Sequence, residues 1–395
     1  MKVSQAVFGV FHHFELAREL DRRGHLQMVY STWPWARLKR EGLPHSKVQT
    51  FPWMHTAETL LSRAGLLPRW LGDELGYRTA LSFDDWTARR IGAVSKTNDI
   101  DALIGISGAA LKTGRLLQQR GGVFVCDRGS THQRYQANIV ADEFRRWGLS
   151  APHDDTRDTV REEEIYAVAD AITVPSSFAR RSFLEQGVAA GKLHTIPYGV
   201  RLETFTKVAD PPSGQNGDDA FNVLFAGSVS LRKGVPYLLQ AFAQVKHPHK
   251  RLRLAGTIAP EIKQLLDRLP QQDVEFLGPV PQAQLPKRMS ESHVLVLPSV
   301  EDGFGLVLSQ ALACGCPVIA STNTGGDDLI TDGREGYIVP VRDVTALADR
   351  MTRLADDRDL QRRMSEAALA RVAHLGGWAH YGDLWESLLL QLVGQ

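Results

Sequence analysis

The sequence has few cysteines, no long apolar run and no excess of charge. Its 395 residues include three cysteines, Cys126, Cys314 and Cys316, with no CxxC pair, which argues against a disulfide framework or a zinc ribbon. Lysine and arginine number 46 against 45 acidic residues, so the net charge of +1 gives no electrostatic case for nucleic-acid binding. No apolar stretch approaches the roughly 18 residues that a membrane helix requires. We therefore expect a cytoplasmic protein with no nucleic-acid partner.

Motifs of several enzyme classes are also missing. The first predicted strand is not followed by GxGxxG, which weakens a dehydrogenase interpretation, and no GxSxG indicates a hydrolase. No HExxH and no spaced His/Cys cluster indicates a metal site. Asp99-Ile100-Asp101 has the DxD form of metal-dependent sugar transferases, but it precedes a strand instead of following one, so we interpret it as a loop. We expect no metal and no resident cofactor.

The chain alternates strand and helix patterns along a length that exceeds the roughly 250–300 residues of a single core. The predicted strands are Val3–Val10, Gln27–Ser31, Ala102–Ile106, Gly122–Cys126, Ala171–Val174, Phe221–Ala226, Arg251–Ala255, Val274–Phe276, Val294–Leu297 and Pro317–Ala320. Residues 209–219, rich in Pro, Gly and Asp, predict a linker. This order predicts two parallel-sheet α/β domains with a ligand-binding cleft between them.

Two loops of the second half combine glycine with charge. Glu301 and Asp302 precede Gly303-Phe304-Gly305, which opens a helix. Glycines let backbone N–H groups approach a ligand, and a helix N-terminus favours an anion such as a diphosphate. Arg232 and Lys233 stand at another helix start, where their charges could neutralise a pyrophosphate. A structural strand-turn-helix with solvated acids would explain the spacing of the first loop about as well. Taken without the first loop, the second would be better explained as a solvated basic turn.

Taken together, these runs are similar to one protein family. The segments GSVSLRKGVPYLLQAF, FLGPV, LPSVEDGFGLVLSQALACGCPVIAS and DGREGYIVP occur in this order and resemble the nucleotide-sugar domain of the retaining family-four glycosyltransferases, the glycosyl transferases group 1. FHHFELARELDRRGH, ADAITVPSSFARRSF and IPYGV resemble parts of the first domain. The resemblance implies the GT-B fold, in which two Rossmann-like domains face each other across a cleft. It places an acceptor-side domain at 1–205, a donor domain at 206–375, and a helix at 376–395 that packs back on the first domain.

The resemblance also implies roles for individual residues. The implied donor-binding residues are Gly9, Arg232, Lys233, Gly278, Val280, Gly303, Phe304, Gly305, Leu306 and Gln310. The implied catalytic residues are Asp302, His132 and Asp127, and the acceptor-side candidates are His12, His13 and Arg128. Among them, Lys233 would hold the donor diphosphate, Asp302 the donor sugar and Gln310 the ribose.

The sequence departs from the family pattern at several positions. Asp302 and Gln310 stand where the family usually has glutamate, and Ser228 stands where it usually has arginine. Gln310 can still bridge a ribose diol through neutral hydrogen bonds, without charge assistance. The histidine often found after the fourth strand of the first domain corresponds to Cys126 or Asp127, with His132 further along.

The activity that the resemblance implies is metal-independent, retaining transfer of a hexose-type sugar from a nucleotide-diphosphate sugar. The departing diphosphate would take the proton of the acceptor hydroxyl, with electrostatic support from the protein. The expected acceptor is a sugar or a lipid-linked glycan. Residues 33–90 are rich in tryptophan and basic residues, a composition that fits peripheral contact with the inner face of a membrane or aromatic loops packed on the first domain. Two alternatives stay open, namely a nucleotide-sugar epimerase of GT-B fold and a catalytically inactive sugar-nucleotide-binding subunit.

Overall fold

The computed structural model describes residues 1–394 apart from 54, 57–58, 60, 62–67, 94–99, 153–154 and 213–219. Asp99 and positions 213–219 of the predicted linker therefore lie outside the described residues, as do parts of the tryptophan-rich segment 33–90.

The first domain is built on a seven-stranded parallel sheet in the order β3-β2-β1-β4-β5-β6-β7. Its strands are β1 Val3–Val7, β2 Leu26–Ser31, β3 Val48–Thr50, β4 Ala102–Ile106, β5 Val123–Asp127, β6 Ala171–Val174 and β7 Leu193–Thr195. Its helices are α1 His12–Arg22, α2 Trp35–Leu38, α3 Arg69–Gly92, α4 Leu111–Gln118, α5 Gln133–Arg146, α6 Thr156–Val168 and α7 Ser177–Glu185. The strand order reverses between β1 and β4, so the loops after these strands diverge and leave a crevice at the carboxyl edge of the sheet.

The second domain has a six-stranded parallel sheet in the order β10-β9-β8-β11-β12-β13. Its strands are β8 Phe221–Ala226, β9 Lys250–Ala255, β10 Val274–Gly278, β11 Val294–Leu297, β12 Val318–Ser321 and β13 Gly336–Val339. The helices that follow are α8 Val235–Gln244, α9 Pro260–Leu265, α10 Leu285–Ser290, α11 Leu306–Ala313, α12 Gly326–Leu329, α13 Val344–Asp356, α14 Arg358–Leu375 and α15 Trp378–Val393. β8 and β11 are fully buried apolar runs, as expected for central strands covered on both faces. The predicted pair of parallel-sheet domains is confirmed.

The last helix, α15, returns to the first domain and packs on α1. Arg23, which follows α1, donates to the Ala379 carbonyl at 2.8 Å. His25 Nε2 lies 2.5 Å from Glu386 Oε1. Trp385 is fully buried on the inner face of the helix. The expectation that the C-terminal helix crosses back is confirmed.

A buried carboxylate also joins the two domains. Glu143 of α5 is fully buried and accepts hydrogen bonds from Trp147 Nε1 at 2.8 Å within its own domain. From the second domain, Tyr237 Oη donates to it at 2.7 Å and Arg342 Nε at 2.6 Å. Because a buried carboxylate needs full hydrogen bonding, this contact helps to hold the two domains together.

None of the helices in the described part of the chain combines the length and the apolar character needed to span a bilayer.

Candidate functional site

Two loops of the second domain meet because β8 and β11 are parallel neighbours. The loop after β8 ends at Gly234, whose φ is +68°. A Cβ on Gly234 would lie 2.0 Å from the Pro298 carbonyl oxygen, so only glycine lets this loop touch the loop after β11. The close approach places Arg232 and Lys233 beside Glu301 and Asp302.

The two cations are paired with the two acids. Lys233 Nζ forms an ion pair with Asp302 Oδ2, and Arg232 Nη1 donates to Glu301 Oε2 at 2.9 Å. Asp302 Oδ1 also accepts from the Gly305 N–H at 3.1 Å, at the start of α11. Burial opposes ionisation of Asp302, but Lys233 and Arg232 hold its pKa below the usual value. The Arg232 side chain is 36% exposed and can therefore reach an anion in the crevice.

Glu301 crosses to the first domain instead of facing the solvent. Its side chain is fully buried and accepts from Ser130 Oγ at 3.0 Å, Thr131 Oγ1 at 2.8 Å and Gln136 Nε2 at 2.9 Å. Burial opposes its ionisation, but Arg232 and the Gln136 hydrogen bond hold its pKa below the usual value. Glu301 therefore links the donor-side cations to the first-domain loop, a role that the sequence did not indicate.

The glycine loop lies directly against the same first-domain loop. A Cβ on Gly303 would lie 2.4 Å from Ser130 Cα, so the contact requires glycine. Ser176 Oγ donates to the Gly303 carbonyl at 2.5 Å. The Phe304 ring meets Tyr198 edge-on, with centroids 5.2 Å apart. The loop that leads into α11 therefore packs directly against the first domain.

His12, His13 and Asp127 form a buried cluster where β1 and β5 end. His12 Nε2 lies 2.9 Å from Asp127 Oδ2, and His13 Nδ1 lies 3.2 Å from the same oxygen. Thr173 Oγ1 donates to Asp127 Oδ1 at 2.9 Å. Burial opposes ionisation of Asp127, but His12 and the neighbouring His13 hold its pKa below the usual value, whereas burial and then the nearby His13 lower the pKa of His12 to about 4. Within the described residues, the ligand atoms of these three side chains also lie within 4.8 Å of one another, so they could hold a metal ion.

A cavity of about 1100 Å³ extends from His12 of this cluster to residues of the second domain. His12 and Phe11 line it from the first domain, and Leu306, Gln310 and Gln282 line it from the second. The described structure therefore brings the predicted ribose residue Gln310 and the acceptor-side candidate His12 to one space.

The remaining predicted donor residues lie at strand ends. Gly9 follows β1 with φ of +78°, and a Cβ there would lie 3.9 Å from Trp33 Nε1. Gly278 ends β10, with Val280 two residues beyond. These positions match the crevice edge that the sequence predicted, and their contacts with a donor stay a prediction.

Two predicted residues are used for structure instead. His132 caps α5, since its Nδ1 accepts from the Arg134 N–H at 3.2 Å, and its ring lies 5.0 Å from those of Tyr166 and Phe183. Its side chain is used within its own domain, and His132 is not among the described residues that line the cavity at His12, contrary to the prediction that it lines the crevice. Arg128 is likewise committed to its own domain: its guanidinium donates to Glu162 Oε1 at 3.1 Å and also binds the acceptors Thr131 O, Ser107 Oγ, Gln133 Oε1 and Gln136 Oε1. Neither placement supports the acceptor-side role.

The buried histidines predict a stability that depends on pH. Burial lowers the pKa of His132 to about 4 from an ordinary value of 6.5, as it does for His12. Below pH 6.5 the unfolded chain binds protons that the folded chain excludes, so the free energy of unfolding should fall as the pH drops towards 4. Each histidine should contribute up to about 3 kcal/mol to that loss.

Thermal unfolding followed between pH 8 and 4 tests this expectation. His132→Asn keeps a capping oxygen for the Arg134 N–H and removes one of the two titrating groups, so its melting temperature should depend less steeply on pH. The variant should also retain transfer activity. A melting temperature that stays constant from pH 6.5 to 4.5 in the parent would contradict the assignment.

Comparison with known proteins identifies the family. A model of the family described as Glycosyl transferases group 1 matches residues 208–371. A Frankia alni protein named D-inositol 3-phosphate glycosyltransferase is 30% identical over 288 residues, which cover 62% of this chain and 70% of that protein. The chain belongs to the glycosyl transferases group 1. The resemblance inferred from the ordered motifs is therefore confirmed.

The chain spans about half the length of the first curated relatives that it matches. One of them, the D-inositol 3-phosphate glycosyltransferase of Streptomyces avermitilis, is 34% identical over 239 residues, which cover 55% of this chain and 51% of the relative. The similarity to solved structures extends over the whole chain. Sucrose-phosphate synthase from Thermosynechococcus elongatus superposes with a TM-score of 0.71 at 22% identity, covering 100% of this chain and 99% of that one. Anabaena HepE in complex with UDP and glucose gives 0.67 at 17%, covering 99% and 100%. These likenesses confirm the predicted GT-B fold.

Proposed function

We propose that the chain transfers a sugar from a nucleotide-diphosphate sugar to a hydroxyl of an acceptor. The observation that carries the proposal is the meeting of Arg232 and Lys233 with the glycine loop 303–305 at one edge of the second sheet. Paired cations and backbone N–H groups at a helix start are the groups that bind a diphosphate and stabilise it as it leaves. Here the diphosphate would replace Asp302 as the acceptor of the Gly305 N–H.

The diphosphate would enter by exchanging with carboxylates. Lys233 and Arg232 are engaged by Asp302 and Glu301, so a dianionic ligand can take over these contacts without first ordering the side chains. Preordered cations act on the leaving group without reorganisation during the reaction. Gln310, on the wall of the cavity, lies where the ribose of the donor would be held by neutral hydrogen bonds.

The comparisons support this class of substrates. The Anabaena HepE structure contains UDP and glucose, and the curated relatives are named for transfer to D-inositol 3-phosphate. We therefore propose UDP or a similar nucleoside diphosphate on the donor side and a sugar, a polyol or a lipid-linked glycan on the acceptor side. Retention of configuration at the transferred carbon belongs to the same proposal.

A thermal-shift screen tests the donor assignment. UDP-glucose, UDP-galactose, UDP-N-acetylglucosamine and GDP-mannose should be compared with UDP and uridine, since a ligand that binds only the folded state raises the melting temperature. We expect UDP and one UDP-sugar to raise it and uridine to leave it unchanged. Formation of an epimer from the donor alone would favour the epimerase, and binding without transfer to any acceptor would favour an inactive subunit.

Transfer should also continue when divalent metals are removed. The only charged groups that we assign to the donor diphosphate are Arg232 and Lys233, which bind phosphate directly. We expect the initial rate of transfer in about 5 mM EDTA to equal the rate in buffer without EDTA. Complete inhibition that magnesium or manganese reverses would refute metal-independent transfer.

A lipid-linked acceptor would bring the first domain to a membrane surface. In segment 33–90, Trp53 is 77% exposed. Trp33 lies under the Arg37 guanidinium, 4.2 Å from its ring centroid, and meets the His55 ring edge-on with centroids 4.8 Å apart. The packed tryptophan supports aromatic loops on the first domain, and the exposed Trp53 supplies one side chain for peripheral contact. Co-sedimentation with anionic vesicles would indicate peripheral membrane contact, and no co-sedimentation would favour aromatic loops packed on the first domain.

A further inference from the structure

Two buried polar atoms without partners meet beside Gly129. His12 Nδ1 and Tyr198 Oη are both buried, and neither has a hydrogen-bond partner among the described residues. A Cβ on Gly129 would lie 2.7 Å from Tyr198 Oη, 3.0 Å from His12 Cε1 and 3.8 Å from His12 Nδ1. Both atoms therefore lie within 4 Å of the point that a Cβ on Gly129 would occupy. Native proteins rarely leave such groups unpaired, since each unpaired group is costly.

The chemistry of the two atoms is complementary. Asp127 Oδ2 lies 2.9 Å from His12 Nε2, and a carboxylate oxygen there accepts the Nε2 proton. In that tautomer His12 Nδ1 carries a lone pair and can only accept. The phenol of Tyr198 can donate. The two rings are stacked with centroids 4.4 Å apart, which fixes their relative positions. A hydroxyl group satisfies both atoms at once, because it donates to Nδ1 while it accepts from Oη.

The two atoms lie next to the large cavity. That cavity is lined by His12 and by Gly199, the residue after Tyr198, and it extends to Gln310. The glycine loop covers the other side, where Gly303 contacts Ser130 and Phe304 meets Tyr198. Since both atoms are closed to solvent in this structure, a ligand reaches them only if this contact opens.

We propose that His12 Nδ1 and Tyr198 Oη form a subsite that binds one hydroxyl group of the acceptor, with Asp127 as the positioning residue that sets the His12 tautomer. The inference rests on the proposed function. The attacking hydroxyl gives its proton to the departing diphosphate, whereas His12 leaves the proton of the bound hydroxyl in place, so the two hydroxyls are different. The acceptor is therefore a polyol, such as a sugar or a cyclitol.

Tyr198→Phe tests the subsite because it keeps the ring and removes only the hydroxyl. Glucose, glucose 6-phosphate and D-inositol 3-phosphate should be titrated into the parent and the variant in the presence of saturating UDP. We expect at least one of the three to bind the parent and to bind the variant about 3- to 10-fold more weakly, the loss of one neutral hydrogen bond. Affinity for UDP and the melting temperature should not fall, since the variant removes a polar atom that the free protein leaves unpaired.

Two further variants complete the test. Tyr381→Phe removes another buried hydroxyl that has no partner among the described residues but does not lie at Gly129, so it should bind the polyol as the parent does. His12→Gln offers an amide to Asp127 but no lone pair at the Nδ1 position, and it should weaken polyol binding like Tyr198→Phe. Equal polyol affinity in the parent and Tyr198→Phe would overturn the subsite and leave a trapped water as the partner of the two atoms. Failure of all three polyols to bind the UDP-loaded parent would overturn the acceptor class, whereas failure of UDP itself to bind would count against the proposed function.

Discussion

Replacing Lys233 with alanine should weaken UDP binding by about 10- to 150-fold. Loss of one charge-assisted hydrogen bond to a phosphate costs roughly 1.5–3 kcal/mol, and each 1.4 kcal/mol is about tenfold in affinity. Because the leaving diphosphate uses the same contact, the maximal rate of transfer should fall as well. Calorimetric titration of UDP into the parent and the variant measures the change. An unchanged dissociation constant would show that Lys233 does not contact the diphosphate.

The pairing of Lys233 with Asp302 adds a second effect that must be separated from the first. Removing the lysine leaves a partly buried carboxylate without its main partner, which should lower the free energy of unfolding by about 1–3 kcal/mol. The double variant Lys233→Ala with Asp302→Asn removes both charges. It should recover most of the lost stability but none of the UDP affinity. If the double variant recovered both, the loss of UDP affinity in Lys233→Ala would result from its lower stability and not from a missing contact with the diphosphate.

Sequence reasoning predicted the fold well where strands are fully buried. Ala102–Ile106, Ala171–Val174, Phe221–Ala226 and Val294–Leu297 have the predicted limits, because a central parallel strand is a continuous apolar run with clear ends. It missed the edge strands Val48–Thr50, Leu193–Thr195 and Gly336–Val339. Three or four residues are too few to show a period, and these edge strands are held by pairing with a neighbour that the local sequence does not reveal.

The candidate site likewise contains residues that the sequence predicted and residues that only the fold brings together. The cations at 232–233 and the glycine loop at 303–305 are made of residues adjacent in the sequence, so the sequence alone was enough to predict them. The hydrogen bond between Thr131 and Glu301 joins residues 170 positions apart, and His12 and Asp127 are 115 apart. Such pairs depend on which strands become neighbours. The one signal for Tyr198 was an aromatic residue in IPYGV, shortly after the last strand of the first sheet.

For His132 the sequence suggested a role in the site, whereas the structure gives the side chain a capping role. A histidine in a loop with glycine and serine suggested a wall of the crevice, but the same loop begins α5, and a helix start also needs a capping side chain. The ring then fills a space between Tyr166 and Phe183. Local composition could not separate capping from catalysis, because both favour polar side chains in loops.

The adjacent acids Glu301 and Asp302 should respond differently to removal of their charges. Asp302→Asn keeps an oxygen for the Gly305 N–H but loses attraction for Lys233. If Asp302 also orients the donor sugar, as the family resemblance implies, the maximal rate should fall by about 10²–10³-fold while UDP affinity changes little. If it serves only as a cap, the variant should transfer sugar at the parent rate.

Glu301→Gln should act on the contact between the domains. The amide can keep the bonds from Ser130 and Thr131, but its NH₂ group faces Arg232 and Gln136, which are themselves donors. Two bonds to a fully buried group are lost, and the variant should be destabilised by roughly 2–4 kcal/mol. With the contact weakened, small-angle scattering should show a larger radius of gyration than in the parent, and the maximal rate should fall with it. Asp302→Asn should leave that radius unchanged. The parent and Glu301→Gln could instead give the same scattering curve and the same melting temperature. That result would show that Glu301 does not hold the domains together, and Glu143 would then be the principal buried carboxylate between them.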